Sequence, residues 1–224
     1  MKRVHIICEG QTEETFVNEL LLDHLLRFDV VPQAAKVGKP GHKGGCISTA
    51  RMLYDIRLRL LQDKTASCTT FFDFYGLDSD FTGLKQALQK TTIEEKAAVV
   101  EAALKQVVVE ATDEDAVRRF IPYVQMYEFE GLLFSEPSKL ASGLSVLDLE
   151  VDFLQIRQNF ASPEEINDSR ESAPSKRLID LMPEYEKPLY GALAALEIGL
   201  DVMRRECKRF DKWVASLEKL GSKA

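Results

Sequence analysis

Four acidic residues stand where a carboxylate is poorly explained as ordinary surface charge. Glu9 follows the apolar stretch RVHIIC at residues 3–8, Asp73 interrupts the aromatic run FFDFY, and Glu128 and Glu130 flank Phe129 in YEFEG. A buried carboxylate is costly unless it is paired, hydrogen-bonded or bound to a metal. Mg²⁺ and Mn²⁺ are hard cations that take oxygen ligands and keep several waters, so a few carboxylates from separate loops suit them. The chemistry open to such acids, if the fold gathers them, is metal-assisted attack on a phosphodiester.

Each acid also has a plainer role. Glu9 at a strand-to-helix turn can serve as a capping carboxylate near the helix dipole as readily as it can bind metal. Glu128 and Glu130 would share a face on a strand, whereas in an opening helix one of them is a first-turn acid. Glu13 reads as a helix-start residue, with support of the ligands from behind as a second role, and Gly10 forms the turn beside it. Asp78, in GLDSDFTG, reads as a turn former or an accessory ligand. Asp73 fits none of these roles, since a lone charge inside an aromatic run is not a solvated face.

Two basic sets could contact phosphate. Lys36, Lys39, His42 and Lys43 surround the glycines of KPGHKGGC, a loop that lacks the ordered spacing of a nucleotide-binding P-loop. Lys176 and Arg177 in SAPSKRL, with Lys187 further on, form the second.

The elements that must position these residues alternate. Residues 3–8 read as a buried strand, and from Thr12 the apolar period becomes helical through Phe16, Leu20, Leu21, Leu25 and Leu26. A second apolar segment spans residues 30–37 around Pro32, and Ser48 caps a following helix. Residues 68–75 read as a third strand, Thr92 and Glu95 as a capping box for a helix over 93–110, and the fourth strand is expected from Tyr123 onward, past Pro122. Ser162-Pro163 reads as a helix start, residues 161–176 as an exposed connection, and two closing helices are expected at 186–199 and 201–220. The alternation predicts an α/β fold with an open, mainly parallel sheet flanked by helices and a helical C-terminal portion. In such sheets ligands gather beyond the carboxyl ends of the strands, where Glu9, Asp73 and the Glu128/Glu130 pair all fall.

Composition bounds the function. The 224 residues carry 29 Lys and Arg against 36 Asp and Glu, a net charge of −7, so nucleic-acid binding has to rest on local basic patches or metal ions. Cys8, Cys46, Cys68 and Cys207 form no CxxC pair, which fits a reducing compartment rather than a disulfide framework. The N-terminus reads neither as a secretory signal nor as a membrane span, and a cytoplasmic location is expected.

The segments CEGQTEETF, FFDFYGLDSDFTG and YVQMYEFEGLLFSEP, followed by SAPSKRL and the C.RF..W pattern of the tail, resemble a bacterial TOPRIM-like family, domain of unknown function family 4276, related to the TOPRIM domains of OLD-type nucleases. The resemblance implies a TOPRIM-like domain over residues 1–136 and a helical portion over 137–224. It further implies Mg²⁺ or Mn²⁺ held by Glu9, Asp73 and Glu128, with either Glu128 or Glu130 supplying the charge of the second aspartate and Glu130 in the catalytic set; the basic sets above offer Lys39, Lys43, Lys176 and Arg177 for phosphate. The TOPRIM pattern has a second aspartate two residues after the first, and here that position is Tyr75. The implied activity is metal-dependent cleavage of nucleic acid, with DNA the expected substrate, as the effector of a bacterial defence module coupled to an ATPase of ABC or SMC-like type. A non-catalytic interaction subunit and a nucleotidyl- or phosphoryl-transfer enzyme are the alternatives. A homo-oligomer is compatible with either.

Overall fold

The computed structural model describes residues 1–37, 47–167 and 169–221. Four strands form one parallel sheet in the order β2-β1-β3-β4: β1 is Lys2–Cys8, β2 Val30–Lys36, β3 Ser67–Phe71 and β4 Phe120–Ile121. The central strand β1 pairs along its length with β2, from Lys2 opposite Val30 to Cys8 opposite Lys36, and with β3 from Val4 opposite Ser67 to Cys8 opposite Phe71. Pro32 sits inside β2, which lies at the sheet edge, where a missing N–H is tolerated.

Alternation along the strands sends side chains to two cores. Val4, Ile6, Cys8 and Phe71 join Phe16, Phe129, Phe210 and Trp213 on one face, whereas Ile7, Cys68 and Phe72 join Ile56, Phe81, Val100 and Leu104 on the other. Trp213 stacks on Phe71 at 4.9 Å and on Tyr123 at 4.6 Å, and its Nε1 donates to Thr69 Oγ1 at 2.9 Å. Replacing such a residue by alanine costs about 3–5 kcal/mol. The last helix therefore closes the sheet's first face rather than trailing from it.

Several elements differ from the sequence expectation. The third strand ends at Phe71, and Phe74–Gly76 forms a 3₁₀ turn, so Asp73 lies in the exit loop and not within the strand. The fourth strand precedes Pro122 instead of following it, because Phe120 and Ile121 pair with Cys68 and Thr69. The chain regains the sheet only at one bridge, Asp73 opposite Gln125. Pro163–Glu165 is a single 3₁₀ turn, and much of 161–176 is interior, with Pro163, Glu164, Ile166, Ala173, Pro174 and Ser175 buried. The expected helix at 201–220 is two, Leu200–Glu206 and Lys208–Glu218. Buried Glu164 accounts for the break, since its carboxylate accepts from the N–H groups of Arg209 (2.9 Å) and Phe210 (3.1 Å) and so caps the second helix.

Candidate active site

The carboxyl ends of β1, β3 and β4 deliver the acids to one place. Glu9 leaves β1 with its N–H bonded to the Phe71 carbonyl at 3.2 Å, and its Oε2 accepts from the Asp73 N–H at 3.0 Å. Asp73 Oδ1 accepts from the Phe129 N–H at 2.7 Å. That bond ties the exit loop of β3 to the segment carrying Glu128 and Glu130. Close approach is possible because residue 76 is glycine: a Cβ added there would collide with both carboxylate oxygens of Glu9. Glu9 Oε1 and Asp73 Oδ2 accept no hydrogen bond from the described residues.

Tyr127 adopts the left-handed conformation, with φ of 58°, which is uncommon for an aromatic residue, and its carbonyl is held by the Tyr75 N–H at 3.0 Å. This turn aims Glu128 inward. Its Oε2 accepts from the Ser175 N–H at 2.8 Å and its Oε1 from Ser175 Oγ at 2.9 Å, capping the helix Pro174–Leu181. Glu130 opens the short helix Glu130–Leu133 and is wholly buried; its Oε1 accepts from the Tyr185 hydroxyl at 3.4 Å and its Oε2 from Lys187 Nζ at 3.0 Å. Lys187 Nζ also lies 3.5 Å from Glu128 Oε1. Among the described residues it is the only cation in salt-bridge contact with these four acids.

Negative charge therefore exceeds positive charge in a place shielded from water. Burial, opposed by the Asp73 N–H and by Lys187, raises Glu9 above the ordinary carboxylate range. Burial and then the Glu9 charge push Glu13 up to about 7, although its Oε2 accepts from the Gly10 N–H at 2.8 Å. Burial followed by Glu9 and Glu13 raises Asp73 further, and burial raises Glu130 despite Lys187. The lysine responds oppositely: the neighbouring Glu130, Asp73 and Glu128 raise it against burial. A group of buried acids with raised proton affinity is an arrangement that a divalent cation would relieve.

The remaining expected site residues fall elsewhere. Asp78 Oδ1 accepts from the neighbouring Ser79 hydroxyl, and Asp78 N–H bonds to the Ile47 carbonyl. Lys176 is exposed, and Arg177 donates to the Ser172 carbonyl at 2.8 Å with its guanidinium 5.3 Å from the Phe160 ring centre. Lys39 and Lys43 lie outside the described residues. The sequence reading places Lys187 in the second basic set for phosphate rather than among the acids, and it gives Ser175 and Tyr185 no role at the site. The SAPS run, a proline at the first helical position with a serine after it, was a usable signal for Ser175 as a helix-start residue.

The fold and these side chains define an open parallel α/β protein with an acid cluster at the carboxyl end of its sheet. The chain belongs to the family described as Domain of unknown function (DUF4276), whose profile matches residues 8–218. No curated protein matches it. Two solved structures of the C-terminal region of the Xanthomonas campestris pv. campestris OLD protein, one phased with mercury and one with platinum, are similar to it at 15% and 18% identity with a TM-score of 0.37 each. Both alignments cover 96% of this chain, and 98% and 95% of the respective neighbours. No helix among the described residues is long and apolar enough to cross a membrane.

Proposed function

We propose that this protein is a metal-dependent nuclease that hydrolyses phosphodiester bonds, with DNA as its substrate. The observation that carries the reading is the chain of contacts that joins Glu9 to the Asp73 N–H, Asp73 to the Phe129 N–H between Glu128 and Glu130, and those two glutamates to Lys187.

The donor set fits Mg²⁺ or Mn²⁺. Among the described residues no group of three or more His, Cys, Asp or Glu side chains is arranged to enclose a metal. Mg²⁺, however, commonly takes one or two protein carboxylates and keeps its waters. The oxygens left over on Glu9 and Asp73 are of that kind, and both residues come from rigid strand ends. Glu9 and Asp73 would hold the ion, with Glu128 completing the set by exchange of its Ser175 bonds. When bound, the ion supplies Lewis-acid polarisation of the phosphate and a more acidic attacking water. The chain's own groups do the rest: Lys187 holds Glu128 and Glu130 in place and offsets their charge, Ser175 orients Glu128, and Gly76 lets Glu9 lie flat against the turn. Residues 1–136 thus carry the acids, and 137–224 contribute Ser175, Tyr185 and Lys187 to the same site. Tyr75, where the TOPRIM pattern has its second aspartate, is turned to Asn167 and takes no ligand role.

The net charge of −7 leaves little long-range attraction for a polyanion. That supports a subunit that borrows DNA affinity from a partner, and with the motif resemblance we infer an ATPase of ABC or SMC-like type in a cytoplasmic bacterial defence module. The test is titration calorimetry with Mn²⁺ together with plasmid cleavage in Mg²⁺ or Mn²⁺. Wild type is expected to bind Mn²⁺ and cleave, and Glu9→Gln to lower both by about a hundredfold or more while remaining folded. Absence of Mn²⁺ binding at millimolar concentration in wild type would overturn the reading.

A further inference from the structure

Beside the acid cluster lies a set of side chains that its chemistry does not use. Tyr75 stands between the exit-loop Asp73 and Gly76, the residue against which Glu9 packs. Its ring centre is 5.3 Å from that of Tyr127, the residue immediately before Glu128. The guanidinium of Arg170 lies 5.1 Å from the centre of the Tyr75 ring, and the Tyr75 hydroxyl donates to Asn167 Oδ1 at 2.7 Å. On the other side, Lys96 Nζ lies 5.5 Å from the Tyr127 ring centre and donates to its hydroxyl at 3.3 Å. Arg170 is exposed, Tyr75 half-buried and Tyr127 buried, so the contacts lead from solvent over the Tyr75 ring to the residue that precedes Glu128.

What Arg170 and Tyr75 together offer is a planar, positively charged surface whose ring is fixed at its hydroxyl. Guanidinium planes and aromatic faces are the surfaces on which unpaired bases stack. In a duplex the base faces are occupied by their neighbours, and a protein meets only the edges. A base can use this surface only if its strand is single or opened at that step. Tyr75 is two residues after Asp73, so the base adjoining a phosphate at the cluster is the one within its reach.

We propose that Arg170 and Tyr75 form a stacking subsite for an unpaired nucleobase next to the cleaved bond, which makes single-stranded nucleic acid, or a strand opened at that step, the substrate. The inference rests on the nuclease reading above and narrows it. Stacking does not itself select DNA over RNA, because it reads the base face in both alike.

The experiment uses the full chain in Ca²⁺ with a short fluorescent single-stranded DNA, its duplex, the RNA of the same sequence, and a strand carrying abasic positions. Wild type is expected to bind single strands of either sugar about tenfold more tightly than duplex and to quench 2-aminopurine in the strand. Arg170→Ala and Tyr75→Ala should each weaken single-strand binding by about fivefold to tenfold and remove the quenching. On the abasic strand, which has no base to lose, they should have no further effect. Arg170→Lys, which keeps the charge without the plane, should not restore binding. Equal affinity for duplex and single strand, or variants that weaken the abasic strand as much as the intact one, would overturn the subsite. Arg170→Ala removes an exposed side chain, so a folding defect does not mask the result. A strand that is bound and quenched yet left whole in Mg²⁺ and Mn²⁺ counts against the nuclease reading and leaves the subsite standing. Plasmid cleavage by a protein that ignores the single strand does the reverse.

Discussion

Two regions of this protein concentrate charge, and they settle it differently. Near the C-terminus, Arg204 and His24 face Glu218 and Asp211: Arg204 Nε bonds Asp211 Oδ1 at 2.6 Å, Arg204 Nη1 bonds Glu218, and His24 Nε2 lies 2.6 Å from Glu218 Oε1. There the one arginine bonds both acids, and His24 adds a further hydrogen bond to Glu218. At the sheet's carboxyl end, Glu9, Asp73, Glu128 and Glu130 share Lys187 among the described residues, and Glu13 adds a further buried acid beside Glu9. The first region is complete as the chain stands; the second leaves charge that only a bound cation or a proton can offset. The two should therefore respond in opposite senses to mutation, metal and pH.

The largest effect that sharpens the contrast is expected at a residue with no charge at all. Gly76→Ala puts a methyl group where the Glu9 carboxylate lies, and Glu9, being flexible, swings away instead of unfolding the protein. A displacement of about 1 Å at a reacting centre can cost a hundredfold in rate. Cleavage and Mn²⁺ affinity should fall together, with the unfolding midpoint nearly unchanged. Retained Mn²⁺ affinity would show that Glu9 is not a ligand.

Lys187→Met comes next. It removes the cation from an acid cluster and keeps most of the aliphatic stem. Breaking a fully buried pair costs about 3–5 kcal/mol, but the Lys187 side chain is 41% exposed, so screening reduces this to about 1–2 kcal/mol in urea unfolding. Added Mn²⁺ should recover part of the loss. If stability does not change, the acids are not sharing this lysine.

The pH response follows from the sign of each shift. Glu13 has an ordinary value of 4.5 and is held at about 7 in the folded chain. Between those values the folded state keeps a proton that the unfolded state has released, so stability falls as pH rises through that window. Glu9, Asp73 and Glu130 are raised as well and add in the same sense. The metal-free protein should melt at a lower temperature at pH 7.5 than at pH 5.5, and Glu13→Gln should flatten that slope. Saturating Mg²⁺ should raise the midpoint more at the higher pH. A flat profile in wild type would mean that burial, with the neighbouring charges, does not raise these acids.

Much of this was legible in the sequence, for reasons that differ by residue. The strand-to-helix unit around Glu9, the Ser48 cap and the Thr92/Glu95 capping box rest on local periodicity and local hydrogen bonds, and the structure has all three. Pro122 alone points to a strand on its C-terminal side, whereas the strand lies before it; what selects Phe120 and Ile121 is pairing with β3, which is not encoded nearby. The partners of Glu128 and Glu130 lie 47 and 57 positions away, at Ser175 and Lys187. A lysine that answers buried acids is indistinguishable in sequence from one on a surface. Glu164 shows the same limit, because its carboxylate looked like part of an exposed connection and in fact caps a helix 45 residues on.

The smallest expected effect belongs to the balanced region and completes the contrast. Glu218 is half-buried, a condition that by itself favours its neutral form, yet bonds from Arg204 and His24 hold it below its ordinary 4.5. A depressed acid stabilises the fold above its unfolded pKa, and that contribution is lost as pH falls below about 4.5. Glu218→Gln should therefore cost about 1 kcal/mol at neutral pH, vanish as a difference at low pH, and leave Mn²⁺ binding and cleavage untouched. Because His24 Nε2 lies 3.0 Å from Arg204 Nη1 and 2.6 Å from Glu218 Oε1, a second change, His24→Gln, should be non-additive with the first. Urea unfolding of the two variants and the pair at neutral and acid pH measures this coupling directly. A Glu218→Gln protein that loses metal affinity would show that the two charged regions are linked, and that the separation argued from their partners is wrong.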